Sequence, residues 1–409
     1  MPRTTFRLKI EKLVYGGWGL GRHRGKVVFV PFTVPGDRVE VAPVVEKKSY
    51  TMGRLVGILA PGRHRQKAHC VHFGSCGGCQ WQHLEYPHQV DIKRGLFEET
   101  ITHRFPETRN LLFRLRGSPH VFEYRSRARL QVQAIGHALK IGFFRAQTHE
   151  VEDVEFCPLL RPCLNNGLLH ARRFLFAGKA SPLPAEIVLA SSEEIARWAC
   201  AGIELRGQLI PTMKDDPAEY LEGLLRRTVG RFRYWVSPAA FFQANDFMIA
   251  ELLETVIELA SDTRKRTALD LYAGVGLFSL PLAAMFDRVV AVDSSEEAAR
   301  LCRKNAEVAG MDNIRTICAD VPTWAAKSGA RIFDLVILDP PRGGAGREVM
   351  KRIAEWEPEA IIYVSCDPQT MVRDLAALPR RAYRIDRVEG FDLFPQTYHV
   401  EVVVRLSRR

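Results

Sequence analysis

Near the carboxyl terminus, Ser365-Cys366-Asp367-Pro368 follows the apolar run Ile361-Ile362-Tyr363-Val364, so a cysteine stands where a buried strand emerges. An isolated cysteine reads first as a small buried hydrophobe. At the ligand-facing edge of a sheet it reads instead as a nucleophile, because a polar or cationic neighbour suffices to lower a thiol pKa from about 8.5. That edge is marked by Asp270-Leu271-Tyr272-Ala273-Gly274-Val275-Gly276, with Asp293 19 residues after Gly274 at the end of the next strand. Glycines at a strand-to-helix turn let a ligand approach the backbone, and an acidic group one strand on accepts hydrogen bonds from ribose hydroxyls. An adenosine-bearing cofactor fits. A dinucleotide asks for a third glycine where this chain has Ser279, which favours S-adenosylmethionine over NAD. Asp320, past the following strand, extends the pattern toward the adenine edge.

Two further constellations stand out. In Leu338-Asp339-Pro340-Pro341-Arg342, consecutive prolines cannot continue a strand ladder, so the chain turns rigidly and holds the aspartate at the crevice beyond the strand ends. Amino-group methyltransferases carry a similar turn followed by an aromatic residue; the follower here is Arg342, which argues against that chemistry. Cys70, Cys76 and Cys79 form a second cluster around Gly77-Gly78, with Cys157 as fourth ligand and Cys163 as its rival. The spacing matches neither paired C-x2-C zinc motifs nor the C-x3-C-x2-C of radical enzymes. An iron-sulfur core and an all-cysteine zinc site both remain open on spacing alone. Cys302 and Cys318 lack a comparable setting and read as packing residues.

Parallel strands must carry the first set. Apolar runs at 268–271, 289–292, 335–338 and 361–364 alternate with helical stretches from residue 241 onward, the pattern of a parallel sheet covered on both faces. At the other end, short strands at 6–10, 27–32, 38–45 and 51–58, broken by glycines and prolines, predict a small barrel. Gly16-Gly17-Trp18-Gly19-Leu20-Gly21 has no strand-then-helix setting and reads as a barrel loop rather than a phosphate loop. Between them, 86–103 has helical spacing and 128–132 with 139–144 predicts a hairpin.

Charge is distributed unevenly. The net charge is +11, yet residues 1–70 hold 14 basic and 4 acidic side chains, so almost all the excess lies at one end, the signature of a polyanion-binding surface. Nine cysteines, an odd number, argue against a disulfide framework. No apolar run approaches the roughly 18 residues of a spanning helix, and the opening residues lack a secretory core, so a cytoplasmic location is expected.

Together these residues resemble the S-adenosylmethionine-dependent RNA 5-methyluridine methyltransferases, particularly the 23S ribosomal RNA (uracil-5-)-methyltransferases. The resemblance runs nearly end to end. It implies an OB-like TRAM barrel for RNA binding over 1–61, a mixed α+β iron-sulfur domain over 62–240 whose helix near 86–103 packs on the catalytic domain, and a Rossmann-like methyltransferase domain with a mostly parallel seven-stranded sheet over 241–409. Cys70, Cys76, Cys79 and Cys157 match the family's [4Fe-4S] ligands. Phe241-Phe242-Gln243-Ala244-Asn245 resembles its F-F-Q-x-N motif, and Phe394-Pro395, His399-Val400-Glu401 its C-terminal motif with the general base. Gln243, Tyr272, Gly274, Gly276, Asp293 and Asp320 would line the cofactor site, with Asp339 beside cofactor and target base. The chain departs from the family's common choices at Leu277, Asp367, Gln396 and Tyr398.

The chemistry has a reason for these groups. Carbon 5 of uracil is a poor nucleophile; addition of Cys366 to carbon 6 would make it an enolate able to take a methyl group. Glu401 would then remove the carbon-5 hydrogen so that the thiolate can leave. On the residues alone, Glu401 reads as a surface carboxylate of an alternating strand. A stacked uridine hides its face, so the target is expected in a loop and turned out at a cost of a few kcal/mol. Arg125, Arg127 and Arg129 alternate along a predicted strand as a second basic stripe or a solvated edge. A monomer acting on 23S ribosomal RNA is expected, with transfer-RNA uridine methylation and a non-catalytic RNA-binding factor as alternatives.

Overall fold

The computed structural model describes residues 5–136, 138–176, 185–191, 201–205, 208–211, 224–238, 240–329 and 332–409; Cys200 lies outside them. The chain parts into two compact units. One comprises Met1–Leu96, Gln131–Pro158 and Phe394–His399; the other comprises Phe97–Leu130, Leu159–Leu393 and Val400–Arg409.

In the first unit, β1 (Phe6–Val14), β2 (Trp18–His23), β3 (Lys26–Val30), β4 (Arg38–Glu46) and β5 (Tyr50–Ala60) close a barrel in the order β1-β2-β3-β5-β4. Alternating Leu8, Ile10, Val28, Val30, Val39 and Val41 fill it, as period-two burial requires. The glycine string expected as a loop is a turn only at Gly16-Gly17; its last four residues, Trp18 to Gly21, begin β2. Its glycines are there for closeness, since a β-carbon at Gly19 would meet Thr33 Oγ1 at 2.0 Å and one at Gly21 the Lys9 carbonyl at 2.3 Å. Buried Asp37 accepts hydrogen bonds from the Val34 and Gly62 amides, both 2.7 Å, and pairs with Arg65, locking the segment that leaves the barrel. These contacts hold its carboxyl below the usual range despite burial.

The helix α1 (Tyr86–Arg104) begins in this unit and ends in the other. Its buried Gln89 donates to the Trp81 and Leu84 carbonyls and to Gln396 Oε1, and accepts from the Gln396 amide. Gln396, one of the departures, is thus the anchor of the 394–399 turn, held at φ +70°. Tyr398 packs edge-on to Tyr15 with ring centroids 5.3 Å apart.

The remaining strands and helices follow in order: β6 (Phe113–Arg116), β7 (Arg127–Ile135), β8 (Ala138–Phe144), β9 (Val151–Asp153), α2 (Pro162–Phe176), β10 (Glu186–Ser191), β11 (Ala201–Leu205), β12 (Gln208–Pro211), β13 (Leu225–Val229) and β14 (Phe232–Val236). The latter half of β7 pairs with β8, and β8 with β9, in the first unit. Next come α3 (Asp246–Ala260), β15 (Thr267–Leu271), α4 (Ser279–Ala283), β16 (Arg288–Asp293), α5 (Glu296–Val308), β17 (Ile314–Cys318), α6 (Val321–Lys327), β18 (Leu335–Leu338), α7 (Arg347–Trp356), β19 (Ala360–Ser365), α8 (Pro368–Leu375), β20 (Tyr383–Phe391) and β21 (Glu401–Arg408).

Eight of these strands form the sheet of the second unit, ordered β17-β16-β15-β18-β19-β21-β20-β6. Seven are those expected; the eighth, β6, adds parallel to β20 with Val388 opposite Phe113. Every side chain of β18 and β19 is buried, the mark of strands covered on both faces. Phe97 and Ile101, from the end of α1, join this core, and the missing side chain at Gly390 makes room: a β-carbon there would stand 2.8 Å from the Phe97 ring. Strand order reverses between β15 and β18, which puts the ligand crevice beyond their carboxyl ends. Among the described residues no helix is long and apolar enough to cross a membrane.

Candidate active site

The turn after β15 combines positive backbone angles with one open glycine and one closely packed glycine. Tyr272 sits at φ +61°, an uncommon conformation for a side-chain-bearing residue, and Gly274 at φ +55°. A β-carbon on Gly274 would meet nothing within 4 Å, whereas one on Gly276 would press on Leu280 and Cys302 at 2.9 and 3.0 Å. The first glycine thus leaves the backbone open and the second lets α4 and α5 close in. Asp293 accepts from the Gly274 amide through one oxygen and from the Ser295 amide through the other, both 2.8 Å, so its carboxylate is fixed at the strand end. Ser279, in the third-glycine position, donates to Asp270 Oδ2 at 2.5 Å. Asp270 is fully buried, its Oδ1 has no hydrogen-bond partner, and burial, with Asp339 and Asp293 nearby, pushes its pKa up to about 7.

Asp320 stands apart from this buried group. It is exposed, caps α6 by accepting from the Thr323 amide at 3.0 Å and hydroxyl at 2.6 Å, and those bonds lower its pKa. Tyr272 lies within its electrostatic reach and, largely by burial, has its phenol raised. Gln243 is buried two residues before Asn245, which caps α3 through Phe247 and donates to Ser118 and the Leu393 carbonyl. At Leu277 the side chain is buried, and the backbone carbonyl accepts from the Tyr234 hydroxyl at 2.9 Å.

Cys366 and Glu401 meet at the end of the central strands. β21 lies between β19 and β20 and runs antiparallel to both, with Ser365 opposite Val402. Cys366 is half-buried; burial, with Glu401 and Asp339 nearby, pushes its thiol up to about 12, against which Arg342 acts. Glu401 is 2% exposed, Oε1 has no hydrogen-bond partner, and burial and then Asp339 hold its pKa well above the carboxylate range. Asp339, half-buried at the Asp-Pro-Pro turn, is pushed up to about 7 by burial. The site is therefore a web of carboxyls and a thiol that favours neutral groups when empty, with the exposed Arg342 as the neighbouring cation. Asp367 turns its charge to another use: it caps α8 by accepting from the Gln369 and Thr370 amides at 2.9 and 3.3 Å.

Arg342 and Asp270 are the two groups the sequence reading did not assign. In sequence, Arg342 marks only the absence of the aromatic residue that an amino-group target would call for. Asp270, in β15 just before the glycine turn, carried a signal in its position beside the cofactor edge.

The cysteine quartet lies in the first unit. Cys76 and Cys79 each feel Cys157 and Cys70 electrostatically, and burial is the main cause that raises them to about 11 and about 12. Cys163 belongs to the second unit, where Arg161 and Ser191 act on its thiol. The Gly78 amide donates to Cys76 Sγ at 3.4 Å and Gln82 Nε2 to Cys79 Sγ at 3.2 Å. A β-carbon at Gly77 would stand 2.9 Å from the Phe144 carbonyl, so the loop folds tightly.

Comparison with known proteins agrees with this architecture. Residues 213–409 match the family model described as tRNA (Uracil-5-)-methyltransferase, and residues 6–61 the TRAM domain of tRNA (uracil(54)-C(5))-methyltransferase. An RNA methyltransferase of Aquifex aeolicus is 31% identical over all of this chain and 99% of its own. The 23S rRNA (uracil(1939)-C(5))-methyltransferase RlmD of Alkalilimnicola ehrlichii is 30% identical, covering 100% of this chain and 98% of its own. The crystal structure of Pyrococcus abyssi tRNA (uracil-54, C5)-methyltransferase with S-adenosyl-L-homocysteine aligns with a TM-score of 0.74 and 26% identity over 98% of this chain and 100% of that one. With the barrel, the crevice and its cysteine now in view, the chain belongs to the family of S-adenosylmethionine-dependent RNA uracil-5-methyltransferases.

Proposed function

We propose that this chain methylates carbon 5 of a uridine in 23S ribosomal RNA, with Cys366 as the nucleophile and Glu401 as the base. The observation that carries the proposal is the buried carboxylate of Glu401 beside Cys366 at the mouth of the sheet. Carbon 5 gains nucleophilic character only when the ring is saturated at carbon 6, and a thiol is the group in reach to do that. Its sulfur gives up its proton to solvent and forms a bond to carbon 6, the 5,6 π pair moves to carbon 5, and carbon 5 takes the methyl group. S-adenosylmethionine supplies that methyl group when bound. Glu401 then accepts the carbon-5 proton, the double bond re-forms, and the thiolate leaves. Burial makes Glu401 a stronger proton acceptor than a solvated carboxylate, which suits a carbon acid. In this reading Asp339 orients the target base.

Asp293 and the open backbone at Gly274 suit the ribose of the cofactor; Gln243, Tyr272, Gly276 and Asp320 complete its proposed lining. Asp320 also serves as a helix cap, so its part is confined to the oxygen left over. The barrel over 1–61, with most of the chain's excess positive charge beside it, supplies phosphate contacts to RNA. The middle region, 62–240, and the methyltransferase region, 241–409, complete the proposed division of a monomer acting in the cytoplasm.

A [4Fe-4S] cluster fits Cys70, Cys76, Cys79 and Cys157. The N–H donors at Cys76 and Cys79 and the absence of side chains at Gly77-Gly78 suit a bulky core with hydrogen-bonded sulfurs. These four residues would hold it, and its metal–sulfur bonds would tie the loop to the Cys157 segment.

The 23S assignment is supported by the Alkalilimnicola relative, which matches across nearly its whole length. A transfer-RNA target is the second reading, favoured by the Pyrococcus neighbour and both family models. Nucleoside mapping of ribosomal and transfer RNA from cells with and without the protein decides: loss of 5-methyluridine from 23S RNA alone is expected, and its loss from transfer RNA alone overturns the assignment.

A further inference from the structure

A second ligand set lies in the first unit, outside the cysteine quartet. His64, Glu85 and His88 offer two imidazole nitrogens and a carboxylate oxygen, all within 4.8 Å of one another. Glu85 Oε2 is 3.2 Å from His64 Nδ1 and 3.6 Å from His88 Nε2. Donors bound at about 2.0–2.1 Å around a tetrahedral ion stand roughly 3.3 Å from each other, so these separations are already those of a coordination sphere. The two rings lie close together, tilted by 34° with centroids 3.3 Å apart.

The backbone holds the three residues together. Asp37 fixes Gly62 and Arg65 on either side of His64. Arg65 bridges Leu84, and the Glu85 amide donates to the His64 carbonyl at 3.1 Å. His88 lies in the first turn of α1 and donates its amide to the Glu85 carbonyl at 3.1 Å. The side chains are 33 to 45% exposed, so an ion can enter and water can complete its shell.

We propose that His64, Glu85 and His88 form a binding site for a divalent transition ion of the zinc class, independent of the cysteine quartet. Two nitrogens and one oxygen with an open position suit zinc and exclude the hard, all-oxygen preference of Mg2+ and Ca2+. The ion would pin the chain leaving the barrel to the start of α1.

The test uses the full chain with its cysteine site as isolated. Equilibrium dialysis against Zn2+ with metal analysis is expected to give about one more equivalent in wild type than in the His64→Ala, His88→Ala double variant or in Glu85→Gln. Co2+ in the wild type is expected to add visible bands without a sulfur-to-cobalt charge-transfer band. A variant-free measurement accompanies these: Zn2+ should protect His64 and His88 from diethylpyrocarbonate, read by peptide mass mapping. Equal zinc uptake in all proteins, a sulfur charge-transfer band alone, or unprotected histidines overturns the proposal.

Discussion

Cys366 follows β19 one residue beyond the Ser365–Val402 pair and Glu401 opens β21 one residue before it, so the register of the two strands brings both residues to the open end of the sheet, within electrostatic reach of each other. The group proposed to attack the base and the group proposed to deprotonate it are therefore set by one strand pairing. Cys366→Ala is expected to abolish methyl transfer while leaving S-adenosylmethionine binding within a few fold. Glu401→Gln should still attack but fail to release, leaving a protein–RNA adduct that survives a denaturing gel. An active Cys366→Ala enzyme would remove the mechanism.

The thiol of Cys366 is raised to about 12 by burial and by Glu401 and Asp339, so in the empty site it is protonated at neutral pH. A cation brought into such a site favours the thiolate. The sulfonium of S-adenosylmethionine should therefore speed alkylation of Cys366 relative to S-adenosylhomocysteine, which has the same shape without the charge. A shift of one pKa unit corresponds to about tenfold in thiolate population. Rates of iodoacetamide modification at Cys366, measured with each ligand at saturation, check this; equal rates would mean that charge does not activate the thiol.

Much of this arrangement is legible in the sequence because it is local. Glycine and proline punctuation marked four of the five barrel strands, and four apolar runs marked the central parallel strands. β2 was hidden because its glycines, which the barrel needs for close approach, carry no strand propensity. β6 was hidden because Phe113-Arg114-Leu115-Arg116 is four residues long and its place is decided by pairing with β20, far along the chain. The same limit applies to the site. Asp293 could be placed from spacing, but the meeting of Cys366 with Glu401 depends on β21 inserting between β19 and β20, which no local pattern encodes. Asp320-Val321-Pro322-Thr323 carried a helix-cap signature, and the structure gives Asp320 that work.

At Asp367 the carboxylate has two roles that substitution can separate. It caps α8, and it adds the smallest of the influences that raise the Cys366 thiol. Asp367→Asn keeps an acceptor oxygen for the Gln369 and Thr370 amides, so stability should change little and thiol reactivity should rise slightly. Asp367→Ala loses the cap and should cost about 1 kcal/mol. Urea denaturation with alkylation kinetics on both variants separates the effects; equal destabilisation would show that the charge, not the cap, matters.

For the quartet, Cys76→Ser and Cys157→Ser are each expected to bleach the broad visible absorption of anaerobically purified protein, whereas Cys163→Ser should leave it. Cys157 lies within electrostatic reach of Cys76 and Cys79, while Cys163 packs near Ser191 in the other unit. Iron and sulfide analysis accompanies the spectra. A colourless wild type with one zinc would replace the cluster by a zinc site, and a bleached Cys163→Ser would reassign the fourth ligand.

Asp270 offers a test of the electrostatics without touching the reacting groups. Its pKa rises from 3.8 to about 7 on folding, because it is wholly buried with Asp339 and Asp293 nearby. Between those two values the folded state holds a proton that the unfolded chain has released, so folding stability declines as pH climbs from about 4 to about 7 and levels off above. Asp270→Asn cannot ionise and escapes this loss. It can still accept the Ser279 hydroxyl, and the second oxygen it replaces has no partner to lose. The stability of Asp270→Asn relative to wild type should therefore increase through that pH range, by an amount on the order of a few kcal/mol, and stay constant above it. Urea midpoints at several pH values give the curve. A difference that is flat throughout would mean that this carboxyl is ionised in the folded protein well below neutral pH, and that a bound cation or water the buried site admits compensates its charge.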